Sequence, residues 1–162
     1  MAETTTASRT PGSDDVAAFL EARGSRLVAR LGRLEDALDH PALVAEHDDG
    51  QLVGVLTYVL DDESCEILTL HAAEPRAGAG TALIEAIERL ASERGSRRLW
   101  VLTTNDNVDA LRFYQRRGFR LAELRAGAVD DARRTLKPEI PEDGDHGIRI
   151  RDELILEKEI AR

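Results

Sequence analysis

Glu74-Pro75-Arg76-Ala77-Gly78-Ala79-Gly80-Thr81 decides the fold of this chain, together with a second stretch about one βα unit downstream. The first stretch follows an apolar, β-like run, Cys65 to Ala72, and opens an amphipathic helix. From Gly80 to Arg94, residues Leu83, Ile84, Ile87, Leu90 and Ala91 recur at helical spacing, and Gly95 is a natural stop. A helix start presents unpaired N–H groups and the positive end of the helix dipole. Glycines at 78 and 80 let a pyrophosphate approach that backbone without obstruction by Cβ. The stretch lacks the lysine of G-x-x-x-x-G-K-[ST] and does not complete G-x-G-x-x-G, which argues against a P-loop and a dinucleotide fold.

The second stretch is Asn105-Asp106-Asn107-Val108-Asp109-Ala110-Leu111-Arg112-Phe113-Tyr114-Gln115-Arg116-Arg117-Gly118-Phe119. Asn105 or Asp106 caps a helix that ends at Gly118. Asn107, Ala110 and Tyr114 are spaced by three and four, so they share one face of it. A small residue between an amide and a phenol leaves room for a ligand to run along that face. Taken singly, the first stretch reads as a glycine-rich turn and Phe113 and Tyr114 as core aromatics.

Working outward, Ser13 to Arg23 reads as a helix with Ser13 as its cap and Val16, Phe19 and Leu20 on one face. Arg26 to Arg30 reads as a short strand and Leu31 to Leu38 as a helical turn or two. Leu43 to His47 and Gln51 to Leu60 flank the hairpin turn Asp48-Asp49-Gly50, and Asp61-Asp62-Glu63 turns the chain again into Cys65 to Ala72. Arg98 to Thr103 and Phe119 to Leu124 are further strands, Val129 to Thr135 a helix, and Asp152 to Ile160 the final strand. The order predicts an α/β domain over residues 13–162, with a mixed, mostly antiparallel sheet flanked by helices. Residues 1–12, polar and Thr-rich, read as a disordered tail without the apolar core of a secretory signal.

Composition sets the function classes. The 162 residues are 42% hydrophobic but only 4% aromatic, so Leu, Ile, Val and Ala do most of the packing. No apolar run nears the roughly 20 residues that cross a bilayer, so no membrane partner is expected. The net charge of −9 argues against nucleic-acid binding, which needs clustered positive charge, and is compatible with a cationic substrate. The lone cysteine, Cys65, excludes an internal disulfide and fits the cytoplasm.

In this order and at this distance, the two stretches resemble the acetyl-CoA-binding and catalytic segments of the GNAT superfamily of acyl-CoA N-acyltransferases. The family pattern is Q/R-x-x-G-x-G/A. Gly78 and Gly80 match it, Pro75 stands where Gln or Arg is usual, and Arg76 is one position late. The resemblance covers Cys65 to Phe119 well and the C-terminal part more loosely. It implies a single GNAT-like domain with a splayed sheet. The implied activity is direct transfer of the acetyl group of acetyl-CoA, as co-substrate, to a primary amine of a small-molecule acceptor. On this resemblance Arg76, Ala77, Gly78, Ala79, Gly80 and Thr81 hold the pyrophosphate, while Leu70 aligns its backbone with the pantetheine arm. Asn107 bonds that arm, Tyr114 lies near the sulfur and protonates the leaving thiolate, and Arg116 and Arg117 could reach the 3′-phosphate. A homodimer is compatible with it. The reading from a different class is a non-catalytic acyl-CoA-binding or partner-binding domain.

An ammonium must lose a proton before it attacks. Glu66 and His71 are the candidate acceptors, on the strand that leads to the glycine loop. Glu66 is expected on the face of Leu68 and Leu70, with His71 opposite, and Glu66 is the first choice. Cys65 has no activating His/Asp arrangement and reads as an inert thiol. His40, His47, His71 and His146 lack metal-ligand spacing, so no metal is expected. Finally, Lys137 to Glu153 is a long connection rich in carboxylates: Glu139, Glu142, Asp143, Asp145, Asp152 and Glu153. Such connections often carry binding function, and a wall of carboxylates suits a cationic amine.

Overall fold

Asp48-Asp49-Gly50 and Asp61-Asp62-Glu63 are both tight turns. Gly50 takes φ +84°, where a side chain would be strained, and its N–H donates to His47 O at 2.9 Å. At the second turn, Asp61 Oδ1 accepts from the amides of Glu63 and Ser64 at 2.9 and 2.7 Å. The computed structural model in which these turns sit describes residues 3–74 and 77–160.

Among the described residues the elements run in this order: β1 (Thr4–Arg9), α1 (Asp14–Ala22), β2 (Leu27–Arg30), β3 (Arg33–Asp36), β4 (Ala42–His47), β5 (Leu52–Leu60), β6 (Ser64–Ala72), α2 (Ala79–Glu93), β7 (Arg98–Thr104), α3 (Val108–Arg116), β8 (Arg120–Arg125), α4 (Ala128–Thr135) and β9 (Glu153–Glu159). Seven strands belong to one mixed, mostly antiparallel sheet, and β2 and β3 form a separate ladder. This is the α/β class that the sequence predicts. The chain divides into two compact units: residues 1–27, 36–99 and 160–162, and residues 28–35 and 100–159.

In the first unit the strands lie in the order β1-β4-β5-β6. The core is aliphatic, with Leu20, Val44, Val55, Leu56, Ile67, Leu83 and Ile87 all at most 1% exposed. Gly54 lets α2 come close to β5. A Cβ there would lie 2.9 Å from Leu83 Cδ1 and 3.3 Å from His71 O.

The N-terminal residues correct the sequence reading. Thr4–Arg9 is a strand paired antiparallel to β4 along its whole length, from Thr4 opposite His47 to Arg9 opposite Ala42. Threonine is β-branched and suits a half-buried sheet edge. Arg9 then ties the strand's end to Asp15 at 2.9 Å and Glu46 at 3.3 Å.

The segment expected to be a helical turn over Leu31 to Leu38 is a hairpin instead. Leu31 and Gly32 both take positive φ, +50° and +76°, the backbone of a two-residue turn whose twist matches its strands. Only the end is helical, a single 3₁₀ turn over Ala37–Asp39 capped by Asp36, whose side chain accepts from Leu38 N.

In the second unit β9 lies between β7 and β8. Val101, Tyr114, Phe119, Val129, Ile150, Ile155 and Leu156 form its buried set. Glu153 is buried among them at 3% exposure and pairs with Arg125 at 3.3 Å across the β8–β9 ladder.

Candidate active site

The glycine loop lies in the first unit, at the start of α2. Gly78 is the cap of α2 at φ +91°, with no side chain bonded to the helix start and no acidic residue in the first turn. A Cβ on Gly78 would meet nothing within 4 Å, so the glycine is needed for its backbone angle and the space beside it is open. Ala82 N donates to Gly78 O at 3.0 Å, a bond of the first helical turn. Ala77 and Gly78 are exposed, Gly80 and Thr81 half-buried, and Ala79 turns inward. A helix start of this kind, without an acidic residue in its first turn, is suited to an anion. Pro75 and Arg76 lie outside the described residues. Leu70 is half-buried on β6, in register with Leu56.

Upstream on β6 the structure changes the expected geometry. Thr57 pairs with Thr69, but the next residue, Tyr58, pairs with Ile67, so Leu68 is an extra residue in β6. A bulge of this kind reverses the alternation of faces beyond it. Glu66 pairs with Val59 and His71 with Val55, which places Glu66, Thr69 and His71 on one face with Val55, Thr57 and Val59. Glu66 therefore does not share the face of Leu70 but that of His71. Glu66 is 4% exposed, Thr57 and Thr69 are 0% and 7% exposed, and their hydroxyls meet at 2.6 Å. Burial and the charge of Arg23 hold the His71 imidazole below its ordinary range, which keeps the ring neutral.

Cys65, beside Glu66, is buried, and burial pushes its thiol up to about 12. At such a value the thiolate is scarce at neutral pH and the cysteine is inert. No group of three His, Cys, Asp or Glu suited to a metal occurs among the described residues.

The second unit holds the α3 face. Asn107, rather than Asn105 or Asp106, caps the helix, its Oδ1 accepting from Ala110 N at 3.2 Å. The cap uses the oxygen and not the side-chain NH₂. Ala110 follows one turn on, half-buried. Tyr114 is 5% exposed, with Phe113 and Phe119 edge-on to its ring at 5.3 Å each. Burial pushes its phenol well above the usual range, so it stays protonated. Among the described residues no protein group bonds its hydroxyl. Arg117 is committed to the helix end: it lies 3.6 Å over the Phe113 ring and donates to Phe113 O at 2.9 Å. Arg116 is exposed.

Two residues that sequence reasoning treated only as helix caps, Asn105 and Asp106, bind the backbone of the acidic connection. Asp106 Oδ2 accepts from Asp145 N at 3.0 Å, and Asn105 Oδ1 accepts from Arg151 N and Asp152 N at 2.9 and 3.0 Å. The only sequence signal was the run Asn-Asp-Asn between strand and helix. The connection itself is less of a bare acidic wall than its composition implies. Glu153 is in the core, Asp152 accepts from Gly127 N at 2.8 Å, and Glu142 lies 4.0 Å from Arg149. Glu139, Asp143 and Asp145 keep exposed side chains.

The family model for acetyltransferase (GNAT) proteins matches residues 13–119, a span that contains both the glycine loop and the α3 face. The chain belongs to the GNAT acetyltransferase family. Two relatives from Bacillus subtilis (strain 168) support the assignment. The uncharacterized protein YxbD is 47% identical over 114 residues, 70% of this chain and 71% of that protein. The uncharacterized protein YdhI is 43% identical over 125 residues, 77% and 76% of the two. Among solved structures, the IAA acetyltransferase from Bacillus cereus ATCC 14579 superposes with TM-score 0.72 at 21% identity, covering 97% of this chain and 99% of that one. A GNAT acetyltransferase from Elizabethkingia anophelis with acetyl-CoA bound gives 0.67 at 20%, covering 96% and 97%. Identities this low establish the GNAT fold. No helix among the described residues is long and apolar enough to cross a membrane.

Proposed function

We propose that this GNAT protein is an N-acetyltransferase that moves the acetyl group of acetyl-CoA directly to a primary amine of a small, cationic acceptor in the cytoplasm. The observation that carries the reading is Tyr114, a buried, protonated phenol with no protein partner for its hydroxyl among the described residues, on one helix face with Asn107 and Ala110. A phenol buried only for packing loses a hydrogen bond and gains nothing that phenylalanine lacks. A proton donor explains it.

Acetyl-CoA supplies a thioester, which an amine cleaves with release of the thiol. The residues of this chain divide the remaining work. The amides of Ala77, Gly78, Ala79, Gly80 and Thr81 hold the pyrophosphate, and the Leu70 backbone and the Asn107 side-chain NH₂ hold the pantetheine arm. Tyr114 Oη gives its proton to the departing sulfur. Glu66 takes the proton that the ammonium must lose. The exposed carboxylates Glu139, Asp143 and Asp145, on a chain of net charge −9, favour a cationic acceptor.

Release of free thiol from acetyl-CoA, measured with a panel of polyamines, amino acids and amine-bearing antibiotics, tests the proposal. Turnover with a cationic amine supports it. Calorimetric binding of acetyl-CoA with no thiol release from any amine would give the non-catalytic acyl-CoA-binding domain instead, and no binding at all would overturn both.

A further inference from the structure

The connection from Lys137 to Asp152 is held against the β7–α3 turn at three points, all within the second unit. Asn105 makes the widest contact. Its Nδ2 donates to Arg149 O at 2.9 Å, its Oδ1 accepts from Arg151 N and Asp152 N, and its own N–H donates to Asp152 O at 3.1 Å. Asp106 is the buried contact, 5% exposed. Its Oδ1 accepts from the Thr104 hydroxyl at 2.5 Å and its Oδ2 from Asp145 N. His146 Nε2 and Asp109 Oδ2, 3.2 Å apart, make the third.

Gly144 shows how closely Asp106 is covered. A Cβ there would collide with Asp106 Oδ2 and lie 2.5 Å from Ile150 Cγ1. Its φ of −107° is one that any residue can adopt, so it is proximity to Asp106 that demands glycine. The strap is also stiff where it touches. Gly144 N donates to Ile148 O at 2.8 Å and Ile150 N to Glu142 O at 2.9 Å.

The residue after this clamp is Asn107. Its N–H donates to Thr104 O at 3.1 Å, and Val108 N donates to Asp106 O at 2.9 Å. The backbone of the cap is thus built from the same two residues whose side chains meet at Asp106. A buried carboxylate that receives a hydroxyl from one side and a strap amide from the other fixes where that turn lies. The orientation of Asn107 follows from it.

We propose that Asp106 is a positioning residue for cofactor binding: by seating the Gly144–Asp145 strap on the β7–α3 turn, it presents the Asn107 side-chain NH₂ to the pantetheine arm. The inference rests on the reading of Asn107 as a pantetheine contact. It makes the connection after α4 part of the acetyl-CoA site as well as of the acceptor side.

Calorimetric titration of CoA into Asn107→Ala, Asp106→Ala, Gly144→Ala and the Asp106→Ala/Asn107→Ala double variant tests it, with melting temperatures recorded for each. Asn107→Ala should weaken CoA. Asp106→Ala and Gly144→Ala should each do so by about threefold or more, and Asp106→Ala should add little once Asn107 is gone, as coupled members of one network behave. A purely structural strap would lower the melting temperature without that non-additivity. Wild-type affinity in folded Asp106→Ala and Gly144→Ala, beside a weakened Asn107→Ala, overturns the positioning role and leaves the Asn107 contact standing. Losses that multiply in the double variant overturn it too. Wild-type affinity in Asn107→Ala removes the pantetheine contact itself and the proposal with it. Where Asp106→Ala does not fold, Gly144→Ala decides, because it disturbs the same contact from the strap side.

Discussion

Thr57 Oγ1 and Thr69 Oγ1 lie 2.6 Å apart, in hydrogen-bond contact across β5 and β6 and shut away from water. They sit at the last regular pair before the ladder slips by one residue. One hydroxyl donates to the other, and this shared bond accompanies the burial of two polar groups at the point where the bulge carries Glu66 onto their face.

The pair gives a stability prediction in which removing more costs less. Thr69→Val leaves the Thr57 hydroxyl buried without its partner, a loss of about 1–3 kcal/mol. Thr57→Val/Thr69→Val removes both hydroxyls at nearly constant volume and should recover most of that loss. Urea unfolding of the two single variants and the double checks it. A double variant as unstable as the two singles added together would mean the hydroxyls serve other partners.

Replacing Tyr114 separates packing from chemistry. Tyr114→Phe keeps the edge-on contacts with Phe113 and Phe119 and removes a hydroxyl that no described protein group uses. Melting temperature and CoA affinity should therefore hold. Turnover should fall by about 10²- to 10⁴-fold, the usual worth of general-acid assistance. Thiol release at wild-type rate, with chemistry rate-limiting, takes Tyr114 out of the reaction.

For the glycine cradle, Gly80→Val puts a branched side chain on the half-buried first turn of α2 while the cap at Gly78 stays intact. CoA binding should weaken by at least about tenfold, because the phosphates need close approach to the amides. Circular dichroism should show the helix unchanged. A folded variant with undiminished affinity in calorimetry would move the pyrophosphate elsewhere.

What could be read from the sequence follows the range of the interactions. The Gly78–Thr81 helix start and the Asn107–Ala110–Tyr114 face are set by neighbours within one helical turn, so spacing exposes their geometry, while the roles given to them come from the family resemblance. The bulge at Leu68 depends on the register against β5, which no pattern inside β6 reveals, and so the face of Glu66 came out reversed. Asn105 and Asp106 find their partners about 40 residues away, at Arg149 and Asp145, and locally they look like helix caps. The β1 strand was hidden by composition. Thr4-Thr5-Thr6 is as polar as a tail, and its β-branching was the signal to weigh. At Leu31, a leucine at positive φ breaks the usual preference for glycine or asparagine in a hairpin turn.

Cys65 offers a check on burial that is independent of catalysis. With the thiol pushed up to about 12 and the side chain enclosed, the native protein should not react with a thiol reagent at pH 8. Unfolding in guanidinium should release one reactive thiol per chain. Rapid labelling of the native protein would mean that β6 opens far more readily than its pairing with β5 implies.

His71 turns the same environment into a pH dependence. Burial first, and the charge of Arg23 second, hold its folded-state value below the ordinary one near 6.5. The native ring therefore binds its proton less readily than the ring in the unfolded chain. Above about pH 6.5 both states carry a neutral ring and the contribution of His71 to stability is fully present. As the pH falls from there, the unfolded chain takes up the proton first, and that stability is lost progressively until the folded-state value is passed. His71→Gln, which cannot titrate, should flatten part of the decline in urea-unfolding free energy between pH 7 and 5. Arg23→Gln should raise the His71 titration midpoint seen by NMR, because it removes the second cause and leaves the first. An unfolding free energy that falls as steeply in His71→Gln as in the wild type would mean that other groups, and not this ring on the Glu66 face, set the acid limit of the fold.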